Sequence, residues 1–276
     1  MNRIGYVLFL VTCVSAVLWA QPAVPVEQWT GKTVMLIGAH PDDDTYAQGT
    51  MAMLKDHGNE IWIVILTTGN VGTQDPKLSR NDLARIRREE ELAALKELGI
   101  PEDHYINLGY DDGMLEFQDR KEVVAELVRK IRQYRPDVLL AFDTGPGYMR
   151  WHKSDHRAAA FLAADATRAA MWRLLFEGQI LQEGLEAHQI PEFLFFDTPE
   201  PNTWVDVSPY IEQKVRAGMK YVSQWGPGWK EYKGPHLSAE EAKAMEQRIR
   251  ARLRTRDGKF VEAFRYYKGL PDGMGK

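Results

Sequence analysis

The chain has 276 residues and a formal net charge of −4 at pH 7. Hydrophobic residues make up 44% of the sequence and charged residues 27%, which is the composition of a folded globular protein. The length favours one α/β domain over two, because single cores grow to about this size before they split. The net charge is negative and the isoelectric point is about 6.0, so we expect no nucleic-acid partner.

The first twenty residues differ from the rest of the chain. A short positive start, Met1 to Arg3, precedes an apolar stretch from Ile4 to Trp19, and Ala20 follows it. This order is typical of a secretory signal peptide, which we place at residues 1–20. A retained membrane anchor is the alternative, but the stretch is short for a span of about 20 residues. We therefore expect a secreted or periplasmic protein without stable membrane insertion; a lipid anchor on Cys13 is a weaker alternative.

Cys13 is the single cysteine of the chain and lies inside this signal. The mature protein would then have no disulfide, no thiolate nucleophile and no cysteine ligand for a metal. Any metal ion must be held by histidine and carboxylate side chains.

The remaining sequence predicts alternating strands and helices. Apolar runs of strand length are typical of buried parallel strands, and apolar stripes at helical spacing indicate helices. In chain order we expect a linker at 21–30, a strand at 33–38, a helix from about 44 to 58, a strand at 61–66, a helix at 79–98, a strand at 105–108, a helix at 119–134, a strand at 137–142, a helix at 155–175, a strand at 193–196 and a helical segment from about 238. The pattern predicts one α/β domain over residues 31–276, with a doubly wound, mainly parallel, Rossmann-like sheet flanked by helices.

One histidine and three carboxylates follow the first predicted strand: His40, Asp42, Asp43 and Asp44. One aspartate is enough to cap the next helix. Three adjacent carboxylates repel each other unless a cation lies among them, and Pro41 fixes the backbone so that the side chains can converge. The segment therefore favours a metal site over a simple cap.

A second polar cluster follows the strand at 137–142. The long loop after it holds His152, Asp155 and His156. Asp155 can be an ordinary helix cap and His156 a surface residue. Ligands of parallel sheets bind at the carboxyl ends of strands, however, so the two clusters can meet. Two histidines and a carboxylate with an open fourth position form the ligand set of a catalytic zinc.

The segment Ala39–Asp44 resembles the signature of the PIG-L, or LmbE-like, deacetylases. These are zinc-dependent enzymes that de-N-acetylate GlcNAc-phosphatidylinositol, GlcNAc-inositol and other N-acetylated sugars. Further matches follow in order along most of the mature chain: Thr67–Asn70, Arg87 with Glu90, Gly109–Gly113, Asp155–Ala158, Val205–Val207, Ser223–Gln224 and Glu262–Phe264. The signature usually ends in glutamate, whereas this chain has Asp44.

The resemblance implies roles for individual residues. It makes His40, Asp43 and His156 the ligands of a zinc ion, with iron as the alternative metal. It makes Asp42 the general base that takes a proton from the attacking water. No covalent intermediate is required.

The resemblance also implies a cation that stabilises the oxyanion or protonates the leaving amine. The family's second motif is commonly His-Pro-Asp-His, whereas here His152 and His156 are separated by one residue more. His152 is the candidate for this role, and Lys153 and Arg157 are the alternatives.

The predicted function is removal of an acetyl group from an N-acetylated sugar or glycoconjugate. A hydrolase of another amide or carbamate is one alternative, and a catalytically silent carbohydrate-binding module is another. The presence of Asp42 argues against the silent module, because a binding site does not need a base. The aromatic stretch from Gln224 to Trp229 can contact a sugar or pack a loop. The arginines from Arg248 to Arg256 are expected on a solvated face.

Overall fold

A single sheet lies at the centre of the protein. In the computed structural model, residues 22–145 and 153–269 are described. The strands of the sheet are β1 (Thr33–Gly38), β2 (Glu60–Thr67), β3 (Tyr105–Tyr110), β4 (Val138–Phe142), β5 (Glu192–Phe196), β6 (Thr203–Asp206), β7 (Thr255–Arg256) and β8 (Lys259–Lys268). The helices are α1 (Gln48–Asp56), α2 (Arg80–Glu97), α3 (Arg120–Tyr134), α4 (Ser154–Ala170), α5 (Glu177–Leu181), α6 (Ile211–Gly218), α7 (Val222–Trp225) and α8 (Ala239–Arg250).

The strand order of the sheet is β3-β2-β1-β4-β5-β8-β6, and β7 pairs with β8. The five strands from β3 to β5 are parallel, while β8 is antiparallel to β5, β6 and β7. From β1, the chain adds β2 and β3 on one side of the sheet and then β4 and β5 on the other, so the order of the strands reverses between β1 and β4. Val34 of β1 is in register with Ile61 of β2 and with Val138 of β4. Such a switch point opens a crevice at the carboxyl ends of the strands. The predicted α/β fold with a mainly parallel sheet is confirmed.

The core surrounds the parallel strands. Residues 34–37 of β1 and all of β4 are fully buried and apolar, as expected for strands covered on both faces. The helix α3 turns Val123, Leu127 and Ile131 inward and packs against α4, whose alanines allow a close approach. The carboxyl ends of β1 and β4 are therefore held by rigid packing.

The predicted helix boundaries are mostly correct. Ser79 begins α2 with a capping box, in which its side chain accepts from the N–H of Asp82, and Ser238 begins α8 in the same way with Glu241. The helix expected to reach residue 175 is wrong at its end, since α4 stops at Ala170. Among the described residues, no helix is long and apolar enough to cross a membrane.

The linker expected at 21–30 is wrong for the residues that the structure describes. Val26 and Trp29 are 1% and 2% exposed and belong to the main core. The backbone carbonyl of Trp29 also accepts a hydrogen bond from Asn59. This segment is part of the domain because its apolar side chains complete the core. The signal peptide expected at residues 1–20 lies outside the described residues.

The C-terminal segment expected to be helical from about 238 is helical only through α8. It continues into β7 and β8, and β8 inserts between β5 and β6. Phe264 and Tyr266 are fully buried, because this strand fills the sheet beside β5. The end of the chain is thus an internal strand of the fold.

Candidate metal centre and active site

The loop after β1 is fixed by one of its own carboxylates. Oδ2 of Asp43 accepts hydrogen bonds from the backbone N–H of Ala39 at 2.7 Å and of His40 at 2.8 Å. Asp42 adopts a left-handed conformation with φ of 112°, which is uncommon for a residue other than glycine. The turn therefore points several polar side chains into the crevice at the end of the sheet.

Three predicted ligands converge at this turn. Ligand atoms of His40, Asp43 and His156 all lie within 4.8 Å of one another. The Nε2 atom of His156 is 3.2 Å from Oδ1 of Asp43, and Nδ1 of His40 is 3.7 Å from Oδ2. Two ligands of a tetrahedral ion with bonds of about 2.0–2.1 Å lie about 3.3 Å apart, so the spacing fits a bound divalent ion.

The second histidine comes from the first turn of α4. The His156 ring stacks on Phe142 of β4 with 4.2 Å between centroids, and it is 3% exposed. Its Nδ1 atom is buried and has no hydrogen-bond partner among the described residues. The support for a metal ion comes from the other ring nitrogen, since Nε2 of His156 and Oδ1 of Asp43 are two donor atoms that face each other inside the protein.

His40 is held from its other side by two carboxylates. Its Nε2 atom lies 3.1 Å from Oδ1 of Asp112 and 3.4 Å from Oδ2 of Asp155. Asp155 in turn accepts from the backbone N–H of Gly113 at 2.7 Å and of Leu115 at 3.2 Å. A carboxylate behind a ligating imidazole fixes the orientation of the ring. Asp155 therefore positions His40, a role beyond the helix cap considered from sequence.

The charges of this cluster suit a cation. Burial alone would lower the pKa of His40, but hydrogen bonds to Asp112 and Asp155 and the charge of Asp43 raise it to about 10. Burial would raise the pKa of Asp43, but His156 and His40 hold it well below its usual range. The Asp43 carboxylate is therefore ionised at neutral pH, and a cation bound beside it would replace the proton on His40.

Asp42 faces the same cavity with both of its oxygens held. Oδ1 accepts from Nη2 of Arg87 at 2.9 Å, and Oδ2 accepts from Nε1 of Trp225 at 3.2 Å. The backbone N–H of Asp42 donates to Glu91 at 3.0 Å. Burial raises the pKa of Asp42, and the charge of Arg87 opposes that effect. The carboxylate is thus placed and oriented while its basicity is increased.

Arg87 connects the first turn to the turn after β2. Its guanidinium donates to the carbonyls of Pro41 and Gly69 as well as to Asp42. Gly69 has φ of 65°, and a Cβ atom there would lie 2.4 Å from Nη1 of Arg87. A side chain at position 69 would displace the guanidinium, which explains the glycine in this turn.

A cavity of about 760 Å³ opens from this cluster. The lining comes from two separate parts of the sequence. The first part contributes His40, Asp42, Asp43, Asp112, Lys153 and His156, and the second contributes Lys214, Ile249, Arg252, Leu253, Arg254 and Glu262. This volume is typical of a site for a small organic ligand. Arg252 and Arg254 are exposed, as expected for a solvated face, and both also line the cavity.

The family of the chain follows from comparison with known proteins. The family model PIG-L, described as GlcNAc-PI de-N-acetylase, matches residues 35–167. The diacetylchitobiose deacetylase of Thermococcus kodakarensis is 36% identical over 195 residues, which are 70% of each chain. The protein belongs to the PIG-L, or LmbE-like, family of deacetylases.

Two further relatives extend this result. A 1D-myo-inositol 2-acetamido-2-deoxy-alpha-D-glucopyranoside deacetylase of Catenulispora acidiphila is 31% identical, covering 78% of this chain and 83% of the relative. The structure of N,N'-diacetylchitobiose deacetylase from Pyrococcus horikoshii has a TM-score of 0.72 and 28% identity, covering 87% of this chain and 85% of that one. The fold and the family thus agree over most of the chain.

The PIG-L signature of this protein ends in Asp44, where glutamate is usual, and the structure explains why the shorter side chain is sufficient. Oδ1 of Asp44 accepts a hydrogen bond from the Tyr221 hydroxyl at 2.6 Å, and Oδ2 accepts from Gln48 at 2.8 Å. The same hydroxyl lies 2.9 Å from Glu91. Burial raises the pKa of Asp44 to about 7 and that of Glu91 well above its usual range. The aspartate therefore reaches its partners without the extra methylene of glutamate.

Sequence reasoning missed Glu91 and Tyr221. Glu91 lies on the buried face of α2 with Arg87 and Glu90, in line with Leu83 and Ala94. Charged residues at the apolar positions of a helix were the available signal, because burial of a charge requires a partner. Tyr221 gave no comparable signal, as a single tyrosine before a short helix is usual.

The three candidates for the cation of the second PIG-L motif fall in different places. His152 lies outside the described residues. Lys153 precedes α4 and lines the cavity with an exposed side chain. Arg157 is tied to Glu116, with Nη2 2.6 Å from Oε2. Arg157 is therefore engaged elsewhere, and Lys153 faces the cavity.

Proposed function

We propose that this protein is a metal-dependent hydrolase that removes the acetyl group from an N-acetylated amino sugar or glycoconjugate. The observation that carries the proposal is the convergence of His40, Asp43 and His156 beside Asp42 in one cavity. Membership of the PIG-L family supports the reaction class.

His40, Asp43 and His156 would hold the ion, and zinc is the proposed metal, with iron as the alternative. Nitrogen and oxygen donors without cysteine suit both ions. A divalent ion at this place would polarise the amide carbonyl and lower the pKa of a water molecule. Oδ1 of Asp43 is available for this role, because Oδ2 is occupied by two backbone N–H groups.

Asp42 acts as the general base in this proposal. Its pKa is raised by burial, which brings a carboxylate closer to the basicity needed near neutral pH. Arg87 and Trp225 orient its two oxygens, and each oxygen retains a lone pair for a water proton. Asp42 then holds the proton that must later reach the leaving amine.

A cation facing the cavity would stabilise the oxyanion and assist the leaving amine. Lys153 precedes His156 by three residues and lines the same cavity, which supports it for this role. His152 remains the other candidate. A lysine at this place would supply positive charge to the oxyanion.

The names of two relatives support the proposed substrate class. One acts on diacetylchitobiose and the other on a 2-acetamido-2-deoxy-glucopyranoside of inositol. Both substrates contain an acetylated amino group on a sugar ring, so the acetamido sugar is the common part. A cavity of about 760 Å³ also leaves room for the unit attached to that sugar.

The direct test is incubation of the purified, zinc-loaded protein with a panel of N-acetylated sugars. We expect equal amounts of acetate and primary amine, loss of release after chelation, and recovery when zinc is added back. Binding without release of acetate would indicate the silent carbohydrate-binding module. Release from a non-sugar amide or a carbamate alone would indicate another hydrolase.

We also propose that the protein is exported. The order of charged, apolar and small residues in the first twenty positions supports this proposal. Mass spectrometry of the exported protein should find a mature chain beginning near Gln21. A cytoplasmic pool that retains Met1 would contradict it.

A further inference from the structure

Two arginines stand at the mouth of the cavity, on the segment that connects α8 to β7. Arg252 and Arg254 are both exposed, and both line the cavity that contains the proposed metal ligands. Leu253 lies between them and is partly buried against Val215, Met245 and Ile249. The backbone carbonyl of Arg254 accepts a hydrogen bond from Val261, so the segment is held against β8.

The neighbouring arginines have carboxylate or aromatic partners, whereas these two pair with no carboxylate of the described residues. Arg250 lies 2.6 Å from Glu212 and 2.8 Å from Glu246, and Arg256 lies over Trp204 and 3.6 Å from Asp257. Within residues 22–145 and 153–269, no side chain forms a salt bridge or hydrogen bond with the guanidinium of Arg252 or Arg254. The two groups that face the cavity thus keep their N–H donors for a ligand.

Arg252 is close to the proposed reaction centre. Its Cζ atom lies 4.4 Å from the centre of the Trp225 ring. The indole N–H of that tryptophan donates to Asp42 at 3.2 Å. One indole ring therefore separates the arginine from the general base. A ring face attracts a guanidinium but accepts few of its N–H bonds, so the stack places the charge while leaving its donors available.

Lys214 also lines the cavity, but its charge is already neutralised. Nζ of Lys214 lies 2.5 Å from Oε1 of Glu262 and donates to the carbonyl of Thr45 at 2.9 Å. Glu262 is 4% exposed and also accepts from two backbone N–H groups of α1. Lys214 is thus committed to the fold, so beside α8 and β8 the positive charge offered to a ligand comes from the two arginines, while Lys153 lies on the side of the proposed metal ligands.

We propose that Arg252 and Arg254 form a subsite for an anionic group of the substrate. This rests on the proposed deacetylase function and narrows its substrate class to acetamido sugars that carry a phosphate or a carboxylate. The anion would lie on the sugar itself or on the unit attached to it. Guanidinium groups match the planar, two-oxygen geometry of both anions, and such charge-assisted bonds are the strong ones.

The test measures equilibrium binding in the zinc-loaded Asp42→Asn protein, so that the sugars are not hydrolysed. The probes are N-acetylglucosamine, its 1-phosphate, its 6-phosphate, and N-acetylmuramic acid as the carboxylate. We expect at least one anionic probe to bind roughly tenfold or more tightly than the neutral sugar, and the advantage to fall as salt rises. The probe that gains most distinguishes phosphate from carboxylate.

The arginines are then replaced in the same background. Arg252→Gln/Arg254→Gln should remove most of the advantage of the anionic probe and leave the affinity for the neutral sugar within about threefold. Arg254→Gln alone should remove part of it. Misfolding is not expected, because the Arg254 side chain is exposed and its guanidinium forms no hydrogen bond or salt bridge with a described residue. Arg256→Gln is the matched control, since its side chain lies on Trp204 outside the cavity.

The outcomes separate the two proposals. Equal binding of all probes, or an advantage that survives the double replacement, overturns the subsite even if the wild-type protein releases acetate. An advantage that depends on the arginines, without acetate release by the wild-type protein, supports the subsite and overturns the deacetylase function.

Discussion

Two regions of the molecule meet at the cavity and are built differently. The strand-exit cluster consists of residues 40–43, 112 and 155–156, and the C-terminal wall consists of residues 249–263. Polar groups in the cluster are mostly buried and hydrogen-bonded to one another or to the backbone. At the mouth, the wall presents exposed arginines that have no carboxylate partner among the described residues.

The difference indicates that the strand-exit cluster performs the chemistry and that the C-terminal wall recognises the substrate. Reacting groups need fixed positions, and the ends of packed parallel strands provide them. Recognition of a group attached to the sugar tolerates more variation in position. The antiparallel strands β7 and β8, with the segment that leads into them, can provide such a recognition site. Changes in the cluster should therefore abolish chemistry, whereas changes in the wall should alter substrate preference or stability.

The largest effect is expected for His156→Ala. The replacement removes one ligand, so metal content should fall from about one equivalent to well below that, and acetate release should fall to background. Elemental analysis with a parallel acetate assay measures both. His236→Ala is a suitable control, because this histidine is exposed and lies away from the cluster. Full activity of metal-free protein would contradict the role of the cluster.

Asp42→Asn should have the next largest effect. We expect kcat to fall by a factor on the order of 10² or more, the usual scale for loss of a general base, while the metal stays bound. Steady-state kinetics and elemental analysis of the same sample would measure this. Near-normal turnover would assign Asp42 to a structural role with Arg87 and Trp225.

The third prediction distinguishes the candidates for the oxyanion cation. If Lys153 fills this role, Lys153→Ala should lower kcat by roughly 10²–10³, and His152→Ala should change it little. The opposite pattern would assign the role to His152. Arg157→Ala serves as the control, because Arg157 is bound to Glu116 and its loss should affect stability more than kcat.

The smallest effect is expected where Lys214 of α6 supports the C-terminal wall through its ion pair with Glu262. Lys214→Met removes the cation beside the buried Glu262 carboxylate, so the free energy of unfolding should fall by about 1–3 kcal/mol while metal content is kept. Urea unfolding measures the change. Lys220→Met provides the control, since its pair with Glu97 is partly exposed and should contribute less than about 1 kcal/mol. Loss of the metal in Lys214→Met would contradict the proposal that the wall and the metal cluster act separately.

The proximity of the residues in the cluster could be predicted from sequence because the signals are local. His40, Asp42 and Asp43 follow a continuous apolar run, and buried parallel strands end where ligands bind. His156 could be added because a second strand, β4, ends at the same edge. The positioning role of Asp155 was not foreseen, since it depends on the N–H groups of a turn 40 residues away.

The wall was harder to predict because its signals are ambiguous. Residues 259–268 mix aromatic, aliphatic and charged side chains without a clean alternation, and they follow a strong helix signal in α8. Arg252 and Arg254 resemble any solvated arginines in a one-dimensional pattern. Their position at the cavity follows from the insertion of β8 between β5 and β6, which no local pattern specifies.

That insertion also sets the time at which the protein can finish folding. β8 supplies the partner of both β5 and β6, and its Glu262 accepts from the N–H groups of Gly49 and Thr50, more than 200 positions earlier in the chain. Contacts of such long sequence separation form slowly. During synthesis, the sheet stays open at β5 until residues 259–268 have been made. A chain cut before Lys259 would expose that edge permanently and should aggregate through it.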